Sequence, residues 1–401
     1  MLHLLKIKNY RVFLLGIVFN DFALMISPMI IGWIMLSISG SAFWVGAAAG
    51  LGGVGMAFTS PFSGAFIDRF NKKTVMLFAL YAQLVTTLIM GFIIYIDLLE
   101  IWHLLIFTLT NGCFSSLRIT SKLAIPYDLV GEGFLLKSSA TNFLSITLMA
   151  IIAPLYGGWL LAVPDVGFAY SIWSVSVTLF VSGLIISRLN GISNPENEVG
   201  IGFLSDLIDG FRELFSNKKI RILLFCVVAS ETFGWSAEAM FPIIAKNELG
   251  LDSKGYGYLI AGGAIGASVT SFTIAVIPEI KNKSAMVIVG LIGFGSFLFL
   301  FALSNNFWLS FSFLGLAFVF SMFYETAINT LLQTTAPPRM RGRVLSFQTF
   351  GWGFSGMAGF ISGSVALFLG APIAVASGGL IVSLQGIRSS RSLMSLSKKN
   401  L

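Results

Sequence analysis

The sequence predicts an all-α membrane protein, with twelve transmembrane helices in two pseudo-symmetric six-helix bundles. Three observations predict it. Charged residues are only 11% of the 401 and apolar ones 56%, against about 25% and 45–50% in a soluble domain. The side chains that clothe a water-facing surface are therefore too few. Second, five windows carry no Asp, Glu, Lys or Arg: Phe22–Ile67, Thr74–Ile96, Ser138–Pro164, Ser284–Tyr324 and Val344–Ile387. A helix crosses the hydrocarbon core with about 20 residues, so the longest windows hold two spans each. Their runs are continuous rather than alternating, which excludes a strand barrel. Third, the halves echo each other. Ala153-Pro154-Leu155-Tyr156-Gly157-Gly158 is matched by Ala358-Gly359-Phe360-Ile361-Ser362-Gly363, and Pro126 with Leu136, Ser139, Phe143 by Pro337 with Leu345, Ser346, Phe350. Such repeats are common in transporters.

Taken in order, the spans fall at 11–38, 42–66, 74–96, 101–125, 138–163 and 166–187, then at 221–245, 254–278, 284–303, 306–335, 343–369 and 371–387. Lys6, Lys8 and Arg11 lead into a first apolar stretch far longer than the apolar region of a signal peptide, so it reads as an uncleaved span. Span seventeen residues long at 371–387 is short for a crossing. The chain divides into an N-terminal bundle (1–188), a linker (189–220), a C-terminal bundle (221–387) and a basic tail (388–401). In the linker, Leu204, Leu207, Ile208, Phe211, Leu214 and Phe215 share one helical face, with Asp206, Asp209, Arg212 and Glu213 opposite. A helix lying on the inner membrane surface is expected there. With the N-terminus inside, the outer loops hold only Lys246 and Lys254, and this asymmetry puts both termini in the cytoplasm. It also accounts for the net charge of +7, so nucleic-acid binding is not needed to explain it.

Charges within spans are expensive and need a reason. Asp21 lies in span one, Arg118 and Lys122 in span four, Glu231 and Glu238 in span seven, and Glu325 in span ten. These are the first spans of each three-span unit, the pattern of one polar cavity rather than of scattered charge. Glu231 and Glu238 are seven apart, two turns on one face of a regular helix. Each acid could also be an ion-pair member or a water-facing residue near a span end, and Lys122, nearer its end, reads that way. Glu238 reads equally well either way. Asp21, Glu231 and Glu325, deep in their spans, read as functional, since a carboxyl can take up and release a proton as access switches sides. Arg118 keeps its charge and reads as a partner or an anion contact. Asn20 beside Asp21, Trp235 between the span-seven acids, and Tyr324 beside Glu325 are cavity-lining candidates that suit a partly apolar ligand.

The loop after span two reads Gly64-Ala65-Phe66-Ile67-Asp68-Arg69-Phe70-Asn71-Lys72-Lys73. It resembles the signature between helices two and three of the major facilitator superfamily, with Asn71 in place of the second Gly. Asn tolerates the left-handed geometry expected of that Gly. The matching loop of the second half, Pro278-Glu279-Ile280-Lys281-Asn282-Lys283, is degenerate. The resemblance implies a cytoplasmic gate at Gly64, Asp68, Arg69, Lys72 and Lys73, facing Arg341 and Arg343 near the start of span eleven. Pro154, Gly157 and Gly158 are similar to the end of the superfamily's helix-five antiporter motif. Without that role they would serve as a bend with close helix packing. Pro126-Tyr127-Asp128-Leu129-Val130 and Arg341-Gly342-Arg343-Val344 resemble the inner loops of the branch holding bacterial enterobactin exporters and macrolide efflux proteins.

The resemblance implies the major facilitator fold and transport by alternating access. The expected function is proton-coupled efflux of a small amphiphilic, drug- or siderophore-like compound across a bacterial cytoplasmic membrane. The expected partners are that substrate, protons and the lipid bilayer, with no nucleic acid, and the chain acting as a monomer. Rival readings are a metabolite importer or facilitator and a non-transporting scramblase or sensor. Two cysteines inside apolar runs, Cys113 and Cys226, two histidines and no nucleotide-binding glycine loop argue against an enzyme, a metal, a cofactor or ATP drive.

Overall fold

The computed structural model describes residues 4–131, 134–192, 217–276, 282–335 and 351–397. Twelve helices follow in order: α1 (Lys8–Ser39), α2 (Ala42–Arg69), α3 (Lys72–Tyr95), α4 (Ile101–Val130), α5 (Leu135–Leu161) and α6 (Gly167–Ser187), then α7 (Lys218–Glu248), α8 (Ser253–Val276), α9 (Lys283–Ala302), α10 (Phe307–Thr335), α11 (Gly351–Leu369) and α12 (Ala371–Ser397). Among the described residues, eleven are long and apolar enough to cross a membrane. The exception is α4, whose apolar character is diluted by Asn111, Arg118, Lys122 and several hydroxyl residues. Large apolar side chains such as Phe58, Phe272, Trp308 and Phe368 stand exposed, as lipid-facing positions do. Helical spans satisfy their own backbone groups, which hydrocarbon cannot.

Helix ends follow local chemistry. Gly40 turns into left-handed geometry (φ 60°) and returns its N–H to the Leu36 carbonyl, closing α1. Asn71 does not adopt the left-handed geometry expected from the missing Gly. With φ −57° it caps α3, its side chain accepting from the Lys73 N–H at 3.0 Å. Asn282 caps α9 the same way, accepting from Ala285 N–H at 3.0 Å. The degenerate second loop thus keeps the capping amide. The twelfth span is longer than expected: α12 continues through Arg388 and Arg391 to Ser397. Much of the expected tail is therefore helix, since no Pro or Gly interrupts it after Gly386 and Leu393 is buried. The surface helix expected in the linker, at 204–215, lies outside the described residues.

The chain forms two compact units. One holds Met1–Gly40, Ala48–Val199 and Asp252–Tyr258; the other holds Ser41–Ala47, Gly200–Leu251 and Leu259–Leu401. The starts of α2 and α8 thus fall in the other unit from the one a division at the linker would give. In the first unit α1 packs on α4, α5 and α6, and α3 on α4 and α6. In the second, α9 packs on α10 and α12, with α12 also against α7 and α11. Small residues permit close approach without a bulk hydrophobic drive, as is usual in membranes. A side chain on Gly290 of α9, for example, would meet the Tyr324 backbone nitrogen of α10 at 2.5 Å.

Candidate functional site

The intramembrane charges gather into two clusters, one within each unit. In the first unit, α4 carries Asn111, Ser115, Arg118 and Lys122 at four-, three- and four-residue intervals, along one helical face. α5 adds Ser138, Asn142 and Ser145 at helical spacing, and α1 adds Asn20 and Asp21. Asp21 is fully buried. Its two oxygens accept from Lys122 Nζ at 2.6 and 2.8 Å. Ser145 Oγ donates to Oδ2 at 2.8 Å, and Asn20 Nδ2 to Oδ1 at 3.2 Å. Lys122 is therefore an ion-pair residue, as its position in the span suggested, but its partner is Asp21 itself. The carboxylate is fully committed.

Arg118 is differently placed. It is 1% exposed. Nη2 donates to Ser115 Oγ at 3.3 Å, while Nε and Nη1 have no partner among the described residues. Ser115 Oγ donates in turn to Asn111 Oδ1 at 3.1 Å, which also accepts from Gln83 Nε2 of α3 at 2.6 Å. Gln83 is the lone amide of a charge-free window, and that is the signal that could have revealed it. Ser145 carried no such signal, being one of many serines.

The second cluster is built on α7, whose centre is not a regular helix. Ser230–Gly234 is a π turn, Trp235–Met240 a 3₁₀ segment, and Ile244–Glu248 a second π turn. Pro242 offers no N–H, and the Phe241 N–H bonds to Glu238 in the tighter pattern. Ser230, Thr232 and Ser236 return their hydroxyls to the carbonyls of Val227, Val228 and Thr232 at 2.9, 2.7 and 2.6 Å. Hydroxyl-to-carbonyl bonds of this kind compete with the backbone ladder and often bend a helix. Such interruptions are frequent at functional sites. Glu231 is buried, whereas Glu238 is exposed. The two acids thus occupy different surroundings despite their two-turn spacing.

A small cleft is lined by Glu231, Tyr324, Glu325 and Asn329, with Val227 and Trp352 among its apolar walls. Trp235 Nε1 donates to the Tyr324 hydroxyl at 2.7 Å. The indole ring lies 5.4 Å from Phe294 and 5.1 Å from Phe318, and Phe294 lies 5.7 Å from Tyr324. These rings hold Trp235 and Tyr324 in place beside the cleft. Among the described residues, Glu231, Glu238 and Glu325 have no ion-pair partner.

At the other expected sites, Gly64, Asp68 and Arg69 fall in the last two turns of α2. Among the described residues nothing lies within 4 Å of a side chain placed at Gly64. Lys72 pairs with both oxygens of Asp128 at 2.9 Å, and Lys73 Nζ donates to the Leu189 carbonyl at 2.7 Å. Arg341 and Arg343 lie outside the described residues. In α5, Pro154 sits inside the helix and is buried with Gly157 and Gly158. A side chain on Gly158 would meet the Ser253 carbonyl at 2.5 Å, and Ser253 Oγ donates to the Gly158 carbonyl at 3.0 Å. These small residues seat the start of α8.

Comparison with known proteins places the whole chain. Residues 2–399 match the family model described as transmembrane secretion effector. The enterobactin exporter EntS of Shigella flexneri is 26% identical over 317 residues, covering 76% of this chain and 72% of that protein. The corresponding Escherichia coli O1:K1 protein is similar to the same extent. Among solved structures, the nucleoside transporter NupG superposes with a TM-score of 0.70 at 14% identity, covering 97% and 98% of the two chains. A bacterial homologue of the human lysosomal transporter Spinster gives 0.71 at 13%, covering 98% and 97%. A twelve-helix fold of this kind, with buried charge in each unit and a family match along nearly its whole length, makes the chain a multi-pass membrane transporter that belongs to the transmembrane secretion effector family of the major facilitator superfamily.

Proposed function

We propose that the protein is a proton-coupled exporter of a small amphiphilic compound, drug- or siderophore-like, working by alternating access. The observation that carries this reading is the cleft where Glu231 and Glu325 face one space without a basic partner among the described residues. Two carboxyl groups sharing a cleft repel each other when both are ionised, and a proton taken up there relieves the repulsion. Asp21, held by Lys122, contributes structure and charge balance in this reading, and proton handling rests with the two glutamates. The aromatic rings around Trp235 and the apolar walls beside the glutamates suit a ligand with an apolar body. The direction of transport is supported by the family's description and by the similarity to enterobactin exporters. The Lys and Arg distribution supports cytoplasmic termini in a bacterial plasma membrane.

Asp68, Arg69, Lys72 and Lys73, with Gly64, Arg341 and Arg343, would form the cytoplasmic gate. Pro154, Gly157 and Gly158 would set the packing of α5 as the cycle proceeds. The test is proton movement in inside-out vesicles carrying a gradient reported by a quenched dye. Catechol-type chelators, macrolides and lipophilic cations are added in turn. One class should release the quench with the wild type and fail with Glu325→Gln and Glu231→Gln. Release that persists in both variants removes the glutamates from coupling, and no release by any class argues for uptake or a non-transporting role.

A further inference from the structure

Charge does not balance in the first unit. α4 brings two cations to the buried cluster, Arg118 and Lys122, and α1 brings one carboxylate, Asp21. Lys122 takes both of its oxygens. Arg118 makes no ion pair among the described residues. Among the described residues its single hydrogen bond is the long one to Ser115, and the donors on Nε and Nη1 find no partner. A guanidinium never gives up its charge to escape burial, so a second negative group is needed. On the other two helices, Asn20 Oδ1 beside Asp21 on α1, and Ser138 Oγ and Asn142 Oδ1 on the α5 face that carries Ser145, are also buried with no partner among the described residues. Buried polar atoms are ordinarily bonded, so each unbonded one calls for a partner.

We propose that this α1–α4–α5 cluster is the head-group site of the substrate, and that the substrate is an organic monoanion whose charge is shared by two oxygens, such as a carboxylate. The planar fork of Arg118 matches two such oxygens, and serine hydroxyls can add donors. Lys122 does not compete for the ligand, because Asp21 holds it. Asp21 in turn keeps the site at one net positive charge rather than two, which favours a monoanion over a dianion. The proposal rests on the reading of the chain as an exporter of a small amphiphile and names the charge of that amphiphile.

The test uses the purified full-length protein in lipid nanodiscs and radiolabelled 1-naphthoate as probe. Competition is measured with unlabelled 1-naphthoate, the neutral 1-naphthamide and the cationic 1-naphthylmethylammonium, which share one apolar body. Naphthoate should bind saturably and be displaced at least about tenfold better by itself than by either analogue. Arg118→Gln should weaken binding by a similar factor, with Arg118→Lys intermediate because it keeps the charge and loses the fork. Absence of naphthoate binding, or equal displacement by the neutral amide, overturns the proposal without any variant being needed. Wild-type binding by a well-folded Arg118→Gln overturns it too. The vesicle assay separates the two readings. If the cation binds and drives proton movement while naphthoate does not bind, the anion site fails and export stands. If naphthoate binds and no compound moves protons, the site stands and coupled export fails.

Discussion

The bond between Lys122 and Asp21, 2.6 Å long and shut away from water, is of a kind that matters most when only one side is removed. Taking away one member of a buried pair leaves an uncompensated charge, at a cost of about 3–5 kcal/mol, whereas replacing both is often neutral. Lys122→Met should therefore lower the stability of the purified protein by that order. Asp21→Asn combined with Lys122→Met should recover most of the loss. Unfolding followed by tryptophan fluorescence in detergent provides the comparison, and equal destabilisation of single and double variants would remove the pairing argument. The sequence showed which charges lay in spans, because such charges are rare against an apolar background. It could not show that Lys122 rather than Arg118 holds Asp21. That depends on how α1 is rotated and seated against α4, which helical spacing within one span does not determine.

At the scale of the helix, two glycines sit in different surroundings. Gly158 lies against the Ser253 carbonyl, whereas among the described residues nothing lies within 4 Å of a side chain placed at Gly64, and neither has positive φ. Gly158→Val should therefore overpack the contact between α5 and the start of α8 and cost about 1–3 kcal/mol. Gly64→Ala should leave stability unchanged or raise it by up to about 1 kcal/mol, the gain from replacing a helical glycine. The same unfolding assay reads both. A transport defect in a stable Gly64→Ala protein would then belong to the gate and not to folding. The spans themselves were legible from charge-free windows, and α6, α9 and α10 begin and end within a residue of the expected limits or close to them. The broken centre of α7 was not legible. Gly234 and Pro242 mark possible interruptions, but a π turn arises from tertiary packing as much as from local sequence. The length of α12 was missed because hydropathy falls at Arg388 while the helix does not stop there.

For the molecule as a whole, buried charge is divided between the units. One holds two cations with one acid, and the other holds Glu231 and Glu325 at one cleft. At the end of the first unit that carries the α2–α3 turn, Lys72 pairs with Asp128, with the lysine side chain 21% exposed. The aspartate side chain is only 4% exposed, so separating the pair leaves a largely buried carboxylate without its cation, and the contact is not one of the weak surface salt bridges. Asp68, two residues before the turn, is the acid expected to latch the gate. Asp68→Asn should reduce vesicle transport severalfold while leaving membrane insertion and unfolding temperature unchanged. Normal transport by that variant would remove the latch.

What the amino-acid sequence determined by itself is the membrane class, the order of the helices, the resemblance to the major facilitator superfamily and the set of costly intramembrane charges. The resemblance rests on the motifs at Gly64–Lys73 and Ala153–Gly158; the rest follows from local composition and spacing, which the bilayer constrains strongly because backbone groups must be satisfied within each span. What only the tertiary structure decided is how those charges are partnered: Asp21 satisfied by Lys122, Ser145 and Asn20, Arg118 left with donors that find no partner among the described residues, and Glu231 and Glu325 brought to one cleft. Partners 89 and 101 residues apart meet only when helices pack, and a hydrogen bond of about 3 Å depends on rotations and offsets that hydrophobic patterning leaves free.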